Sequence, residues 1–162
     1  MDKKGIAIFT DGAARGNPGP GGYGVVMLFG NLRKEISEGF RNTTNNRMEL
    51  LAVIVGFEAV KNRDLKIKVY SDSKYVVDAV NKGWLWEWEK KRFKKKKNPD
   101  LWIRFIAIYK QLKVELVWVK GHANIPENER CDELAVEASK GKNLQKDVGY
   151  EDENEGLLDS FL

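Results

Sequence analysis

Four acids stand where folding alone does not ask for them. Asp11 ends an apolar, strand-forming run, Ile6-Ala7-Ile8-Phe9-Thr10, and Asp72 ends a second one, Ile67-Lys68-Val69-Tyr70-Ser71. Glu49 interrupts a nearly all-apolar helix expected from Met48 onward. Asp132 is expected in the first turn of a late helix, ten residues after the only histidine, His122. Gathered in one place, four carboxylates repel each other and resist ionisation. Hard divalent cations remove that penalty, and an oxygen-only ligand set suits Mg²⁺ or Mn²⁺ better than zinc. Two such ions about 4 Å apart activate a water and steady the leaving oxygen of a phosphodiester. The acids therefore point to metal-dependent cleavage of a phosphate ester.

Each acid also has a plainer explanation when taken singly. A carboxylate early in a helix is favoured by the helix dipole, which covers Glu49 and Asp132. Asp11 and Asp72 precede Gly12 and Ser73, where a turn can begin. Aspartate is nevertheless a poor strand former. A solvated loop is the ordinary place for a lone histidine. Here the loop of His122 runs into the helix of Asp132, so the imidazole is placed to move protons beside a metal site. No second His or Cys has the spacing of a zinc site.

The elements that must position these groups read in the order βββαβα(α)αβα. The strands are expected at 5–10, 23–29, 35–40, 65–71 and 114–119. Asn17-Pro18-Gly19-Pro20-Gly21-Gly22 reads as turn and Gly30-Asn31 as a hairpin. Thr44-Asn45-Asn46 offers helix caps before a buried helix running to about Asn62. The helical crossover makes the fourth strand parallel to an earlier one. The fold class is α/β: a mixed five-stranded sheet, antiparallel through strands 1, 2 and 3, parallel through 1, 4 and 5, with helices on both faces. With strand 1 central, Asp11 and Asp72 lie side by side at its carboxyl edge, where sites gather in open sheets.

The chain of 162 residues fits one domain. No apolar run is long enough to span a membrane, and no segment reads as a signal peptide. The single cysteine, Cys131, cannot form an internal disulfide, which favours a reducing, cytoplasmic location. Residues 142–162 carry two lysines against six acids, a net −4 that leaves +8 on residues 1–141. The domain is accordingly placed at 1–141, with 142–162 as a separate, disordered acidic extension. Within the basic body, Trp84, Trp86 and Trp88 precede Lys90 to Lys97, of which seven in eight are cationic. A charge run is usually a solvated face. One flanked by amphipathic aromatics fits a nucleic-acid backbone, with the cations on phosphates and the rings against sugars and bases. The amides of Asn17, Asn45 and Asn46 serve turns and caps, and they also suit a minor groove where 2′-hydroxyls mark RNA.

The motifs Thr10-Asp11-Gly12, Gly16 to Gly24, Thr43 to Leu50, Ser71-Asp72-Ser73, Asp100-Leu101-Trp102 and Trp118 to His122 followed by Glu127 to Ala135 occur in one order. In this the chain resembles bacterial type 1 ribonuclease H from about Ile6 to Ala138. The resemblance implies an endonuclease that cuts the RNA strand of RNA–DNA hybrids, leaving 5′-phosphate and 3′-hydroxyl ends. It implies two Mg²⁺ ions with substrate bound and Mn²⁺ as a substitute; the chain is expected to work as a monomer. Asp11, Glu49, Asp72 and Asp132 match the metal-binding acids and His122 the catalytic histidine. Asn17, Asn45 and Asn46 match hybrid contacts, and Thr44 a DNA-phosphate contact. Trp84 and Lys94, Lys95, Lys96 and Lys97 match a basic handle at about 84–98 that grips the DNA strand. Lys74 departs from the glutamine usual at its position, and the loop from Phe93 to Asp100 is shorter and more cationic than usual. Two other readings stay open at this stage: a non-catalytic hybrid- or duplex-RNA-binding module, and an integrase-like nuclease.

Overall fold

The computed structural model describes residues 5–153. Five strands, β1 (Ile6–Ala14), β2 (Gly19–Phe29), β3 (Leu32–Thr43), β4 (Lys66–Ser71) and β5 (Lys113–Trp118), form one sheet in the order β3-β2-β1-β4-β5. The pairs β1–β2 and β2–β3 are antiparallel, and β1–β4 and β4–β5 are parallel. This is the mixed sheet expected from the sequence.

Both faces of β1 and β2 are covered, and the side-chain alternation divides accordingly. Ile8, Val25 and Met27 enter one core with helix α1 (Asn45–Glu58) and helix α4 (Pro99–Tyr109). Ala7, Phe9 and Val26 enter the other with Cys131 and Leu134 of helix α5 (Pro126–Ser139). Helix α1 is buried on most sides because its apolar residues leave no polar stripe. Short helices α2 (Lys74–Asn81) and α3 (Trp84–Lys90) lead into the lysine-rich loop.

Several expected boundaries move. Strand β1 continues past Asp11 to Ala14, because Gly21 to Gly24 provide an antiparallel partner inside what read as a turn cluster. The parallel ladder with β4 stops at Thr10–Ser71, so Asp11 and Asp72 still emerge together. Helix α1 ends at Glu58, before the turn in which Asn62 Oδ1 accepts from Asp64 N. Helix α5 begins at Pro126, a residue preset for a first helical position, which places Asp132 in the second turn.

The break placed at residue 141 does not fall at a break in packing. Gln145 bridges to Phe40, and Asp147 is buried against Arg47 as the cap of a helical turn over 148–153. The acids of this segment read as a solvated run, but a cation 100 residues away draws one of them into the domain. Residues 142–153 of the expected extension include these contacts, and its remainder, 154–162, lies outside the described residues.

Candidate active site

Three elements converge on one cleft. Strand β1 supplies Asp11, β4 leads into Asp72, and the second turn of α1 supplies Glu49. Gly12 permits the convergence. A Cβ there would overlap the Met48 carbonyl carbon and lie 2.5 Å from Glu49 N, so only glycine lets β1 pass so close to α1. One carboxylate oxygen from each of Asp11, Glu49 and Asp72 lies within 4.8 Å of the others. Asp132 lines the same cleft, about 460 Å³ in volume, without joining that close trio. Its helix is pinned to β1 by Cys131, whose Sγ donates to Phe9 O at 3.1 Å.

The electrostatics are those of a site built for cations. Burial, followed by the charges of Asp72 and Asp132, pushes the Asp11 carboxyl up to about 7, against the relief given by its bonds to Glu49 and Gly12 N. Burial and the adjoining Asp11 hold Glu49 well above the usual carboxylate range. Burial also raises Asp72. Glu49 Oε1 accepts from Gly12 N at 3.1 Å, while Oε2 is buried with no hydrogen-bond partner. A divalent ion would satisfy that oxygen and let the acids ionise together. The donor set is oxygen only, which fits a hard divalent cation.

The other predicted residues surround this trio. His122 is exposed, with a φ of 56°, on a loop lining the cleft beside Asp72 and Asp132. Lys74 stands at the mouth, its Nζ 4.9 Å from the centroid of the Trp118 ring. That ring is itself tied down, since Trp118 Nε1 donates to Asp72 O at 3.0 Å. Asn17 Oδ1 accepts from Asn45 N at 2.9 Å, and Asn45 Oδ1 from Ala14 N at 2.6 Å. With both amide oxygens committed to backbone donors, their NH₂ groups are left to donate outward. Asn46 is exposed beside Glu49 on the same cleft. The Thr44 hydroxyl caps α1 by accepting from Arg47 N, and keeps its proton to donate.

The basic segment divides by residue type. Lys94, Lys95, Lys96 and Lys97 are all exposed. Left-handed backbone at Arg92, Phe93 and Lys95 turns Phe93 into the core. Trp88 meets Trp102 edge-on at 5.7 Å, and Trp86 packs on Tyr109. The aromatics expected against sugars and bases are thus largely structural. Trp84, at 47 percent exposure, is the tryptophan of the segment left with a free face, and Lys82 Nζ lies 5.2 Å from its ring centroid.

Sequence reasoning missed Arg47 as a supporting residue. It is 1 percent exposed and pairs bidentately with both Asp100 and Asp147, which braces the start of the helix that carries Asn46 and Glu49. Arg47 was visible in its motif, but its partners lie 53 and 100 residues away and carried no local signal.

A five-stranded mixed sheet with clustered carboxylates at the end of its central parallel ladder defines a metal-dependent nuclease. Comparison with known proteins makes this specific. The RNase H family model matches residues 3–140. Ribonuclease H of Desulforamulus reducens is 55% identical over 150 residues, covering 90% of this chain and 94% of that protein. Ribonuclease H of Syntrophus aciditrophicus is 52% identical over 153 residues, covering 91% and 88%. Among solved structures, LC9-RNase H1, a type 1 RNase H with the type 2 active-site motif, aligns with a TM-score of 0.77 at 29% identity, covering 88% of this chain and 75% of that one. LC11-RNase H1, solved in complex with an RNA/DNA hybrid, aligns with a TM-score of 0.63 at 30% identity, covering 82% and 95%. The chain belongs to the ribonuclease H family.

Proposed function

We propose that this enzyme hydrolyses the RNA strand of RNA–DNA hybrids, leaving 5′-phosphate and 3′-hydroxyl ends, with two Mg²⁺ ions at the acid cluster when substrate is bound and Mn²⁺ able to replace them. The observation that carries the reading is the trio of Asp11, Glu49 and Asp72, within 4.8 Å, with Glu49 Oε2 buried and unpaired. Bound ions supply an activated water and neutralise charge at the scissile phosphate.

The chain's own residues do the rest. Asp11, Glu49 and Asp72 would hold the ions, with Asp132, which lines the same cleft, as a further ligand. His122, on the exposed loop beside Asp132, passes a proton to the leaving 3′ oxygen. Asn17, Asn45 and Asn46 donate into the minor groove, where a 2′-hydroxyl can accept. The structure of LC11-RNase H1 with a hybrid supports that choice of duplex. Lys74 meets the RNA backbone as a point charge, and Thr44 donates to a DNA phosphate. Trp84 and Lys94 to Lys97 hold the DNA strand without reading its sequence. A monomer in the cytoplasm completes the reading; among the described residues, no helix is long and apolar enough to cross a membrane.

The deciding experiment offers the protein a labelled RNA–DNA hybrid, duplex RNA and duplex DNA with Mg²⁺, and repeats each with Mn²⁺ and with EDTA. Cleavage of RNA in the hybrid alone, lost in EDTA, is the expected result. A hybrid bound but left intact would replace the reading with that of a binding module. Cleavage of duplex DNA would replace it with an integrase-like activity.

A further inference from the structure

A second cleft, about 550 Å³ in volume, opens on the handle side of the acid cluster. Asn45 and Asn46 line both clefts, so the two adjoin. One wall of the second cleft comes from the C-terminal segment, through Tyr150 and Glu153.

That wall is held firmly. Arg47 grips Asp147 through Nε to Oδ2 at 2.7 Å and Nη2 to Oδ1 at 2.9 Å, and Thr43 Oγ1 donates to Asp147 Oδ2 at 2.7 Å. Two residues on, Gly149 lies directly on the Arg47–Asp100 pair. A Cβ there would overlap Asp100 Oδ2 and lie 2.8 Å from Arg47 Nη2. Glu151 accepts from both Arg41 Nε and Asp147 N. Tyr150 is therefore fixed between two anchored neighbours, half-buried, with its hydroxyl bonded to none of the described residues. Charge around it is also sorted. Glu151 pairs with Arg41 and Asp152 with Lys146, but Glu153 pairs with no described cation and faces the cleft that Lys97 lines.

We propose that segment 147–153 is a wall of the substrate groove, that Tyr150 contacts the backbone of the uncut DNA strand, and that Glu153 opposes that strand's phosphates. This rests on the hybrid-nuclease reading above. If the acid cluster takes the cut strand and the asparagines lie along the minor groove, the second cleft takes the other strand. A phenol suits that strand. Its face packs on a deoxyribose, where an added 2′-hydroxyl would be desolvated without a partner, and its O–H donates to a phosphate. The unpaired carboxylate of Glu153 repels the same phosphates, limiting how long the strand stays bound.

Tyr150→Ala, Tyr150→Phe and Glu153→Gln test this, with hybrid Kd measured in metal-free buffer and kcat and KM in Mg²⁺. Tyr150→Ala should raise Kd and KM about fivefold to tenfold with kcat changed less than about twofold. Tyr150→Phe keeps the ring and should fall between it and wild type. Glu153→Gln should move the other way, lowering Kd about twofold to threefold at low salt. A residue that merely supports the fold would not give these opposite signs. Unchanged Kd and KM in Tyr150→Ala and Glu153→Gln, with wild type cleaving the hybrid, would overturn the inference and leave the function standing. Wild type that neither binds nor cleaves the hybrid would overturn both.

Discussion

Asp11 and Glu49 accept hydrogen bonds from the same backbone N–H, that of Gly12, at 2.9 Å and 3.1 Å. One donor between two buried acids is too little to keep both ionised, so without cations the pair retains a proton. The Asp11 carboxyl, at about 7 against an ordinary 3.8, carries this into stability. Between those values the folded protein binds a proton that the unfolded chain has lost. The stabilisation is therefore full below pH 4 and lost as pH rises through 7. Asp11→Asn removes the titrating group. We expect it to abolish cleavage and to stabilise the metal-free protein by about 2–4 kcal/mol at pH 8, with little gain at pH 4. Urea unfolding in EDTA at the two pH values measures this. Equal stability of mutant and wild type at pH 8, or surviving cleavage, would remove the basis for the metal site.

His122 faces the cleft from a loop, exposed, and is not one of the close acid trio. A group that moves a proton but holds no metal contributes to rate more than to binding. His122→Ala should lower kcat by about 10²-fold and leave Kd for the hybrid nearly unchanged. If activity disappears entirely, or Kd rises in step with the loss, His122 does something other than proton transfer.

Lys74 and Trp118 make a small unit at the cleft mouth, since the ring both holds the ammonium and bonds to Asp72 O. A stacked ammonium is a directed charge that costs less to order than a free one. Lys74→Gln should raise KM about threefold and reduce its salt dependence, with a smaller effect on kcat. Trp118→Phe keeps a ring but loses the N–H to Asp72 O, so it should lower kcat more than Lys74→Gln does. The reverse ranking would separate Lys74 from the site.

The lysines from Lys94 to Lys97 are exposed, Lys96 with its Nζ 5.0 Å from the centroid of the Trp88 ring, and among the described residues none of the four is paired with an acid, so their charge can meet phosphates. Replacing all four by glutamine should weaken hybrid binding and flatten the plot of log Kd against log salt by about two to four units of slope. Single-turnover cleavage at saturating enzyme should stay within about threefold of wild type. An unchanged salt slope would mean that the handle does not meet the nucleic acid.

Much of this was legible in the chain because it follows from pairing rules. Parallel pairing of the first and fourth strands brought Asp11 beside Asp72, and the register Thr10–Ser71 is what that pairing required. Glu49 could be read as misplaced because the helix around it, from Met48 to Phe57, is otherwise without charge or polar side chains. Other features had no local signature. Trp86, Trp88 and Phe93 looked like nucleic-acid contacts because they adjoin a run of cations; the partners that make them structural, Tyr109 and Trp102, are in a later helix, and Phe93 is turned inward by left-handed backbone that leaves no periodic signal. The tail read as detached because its composition is acidic, while the fate of Asp147 depends on an arginine in a different element.

That arginine supports the last prediction. Arg47 is fully buried. Burial pulls its affinity for a proton down, but the hydrogen bonds it donates to Asp100 and Asp147 more than offset this, so the pair of carboxylates keeps it charged. Removing one of them leaves the guanidinium in the interior with half of its compensation, a loss that for buried pairs typically reaches several kcal/mol. Asp147→Asn keeps the shape and an acceptor for Thr43 Oγ1, but removes the charge. It should destabilise the protein by about 2–4 kcal/mol and release segment 147–153 from the groove. Because Arg47 also braces the start of the Glu49 helix, KM for the hybrid should rise even at temperatures where the variant is fully folded. Hydrogen exchange over 145–153, read beside thermal melting, separates the two effects. If the amides of that segment exchange no faster in Asp147→Asn than in wild type, the segment is held by something other than the Arg47 pair.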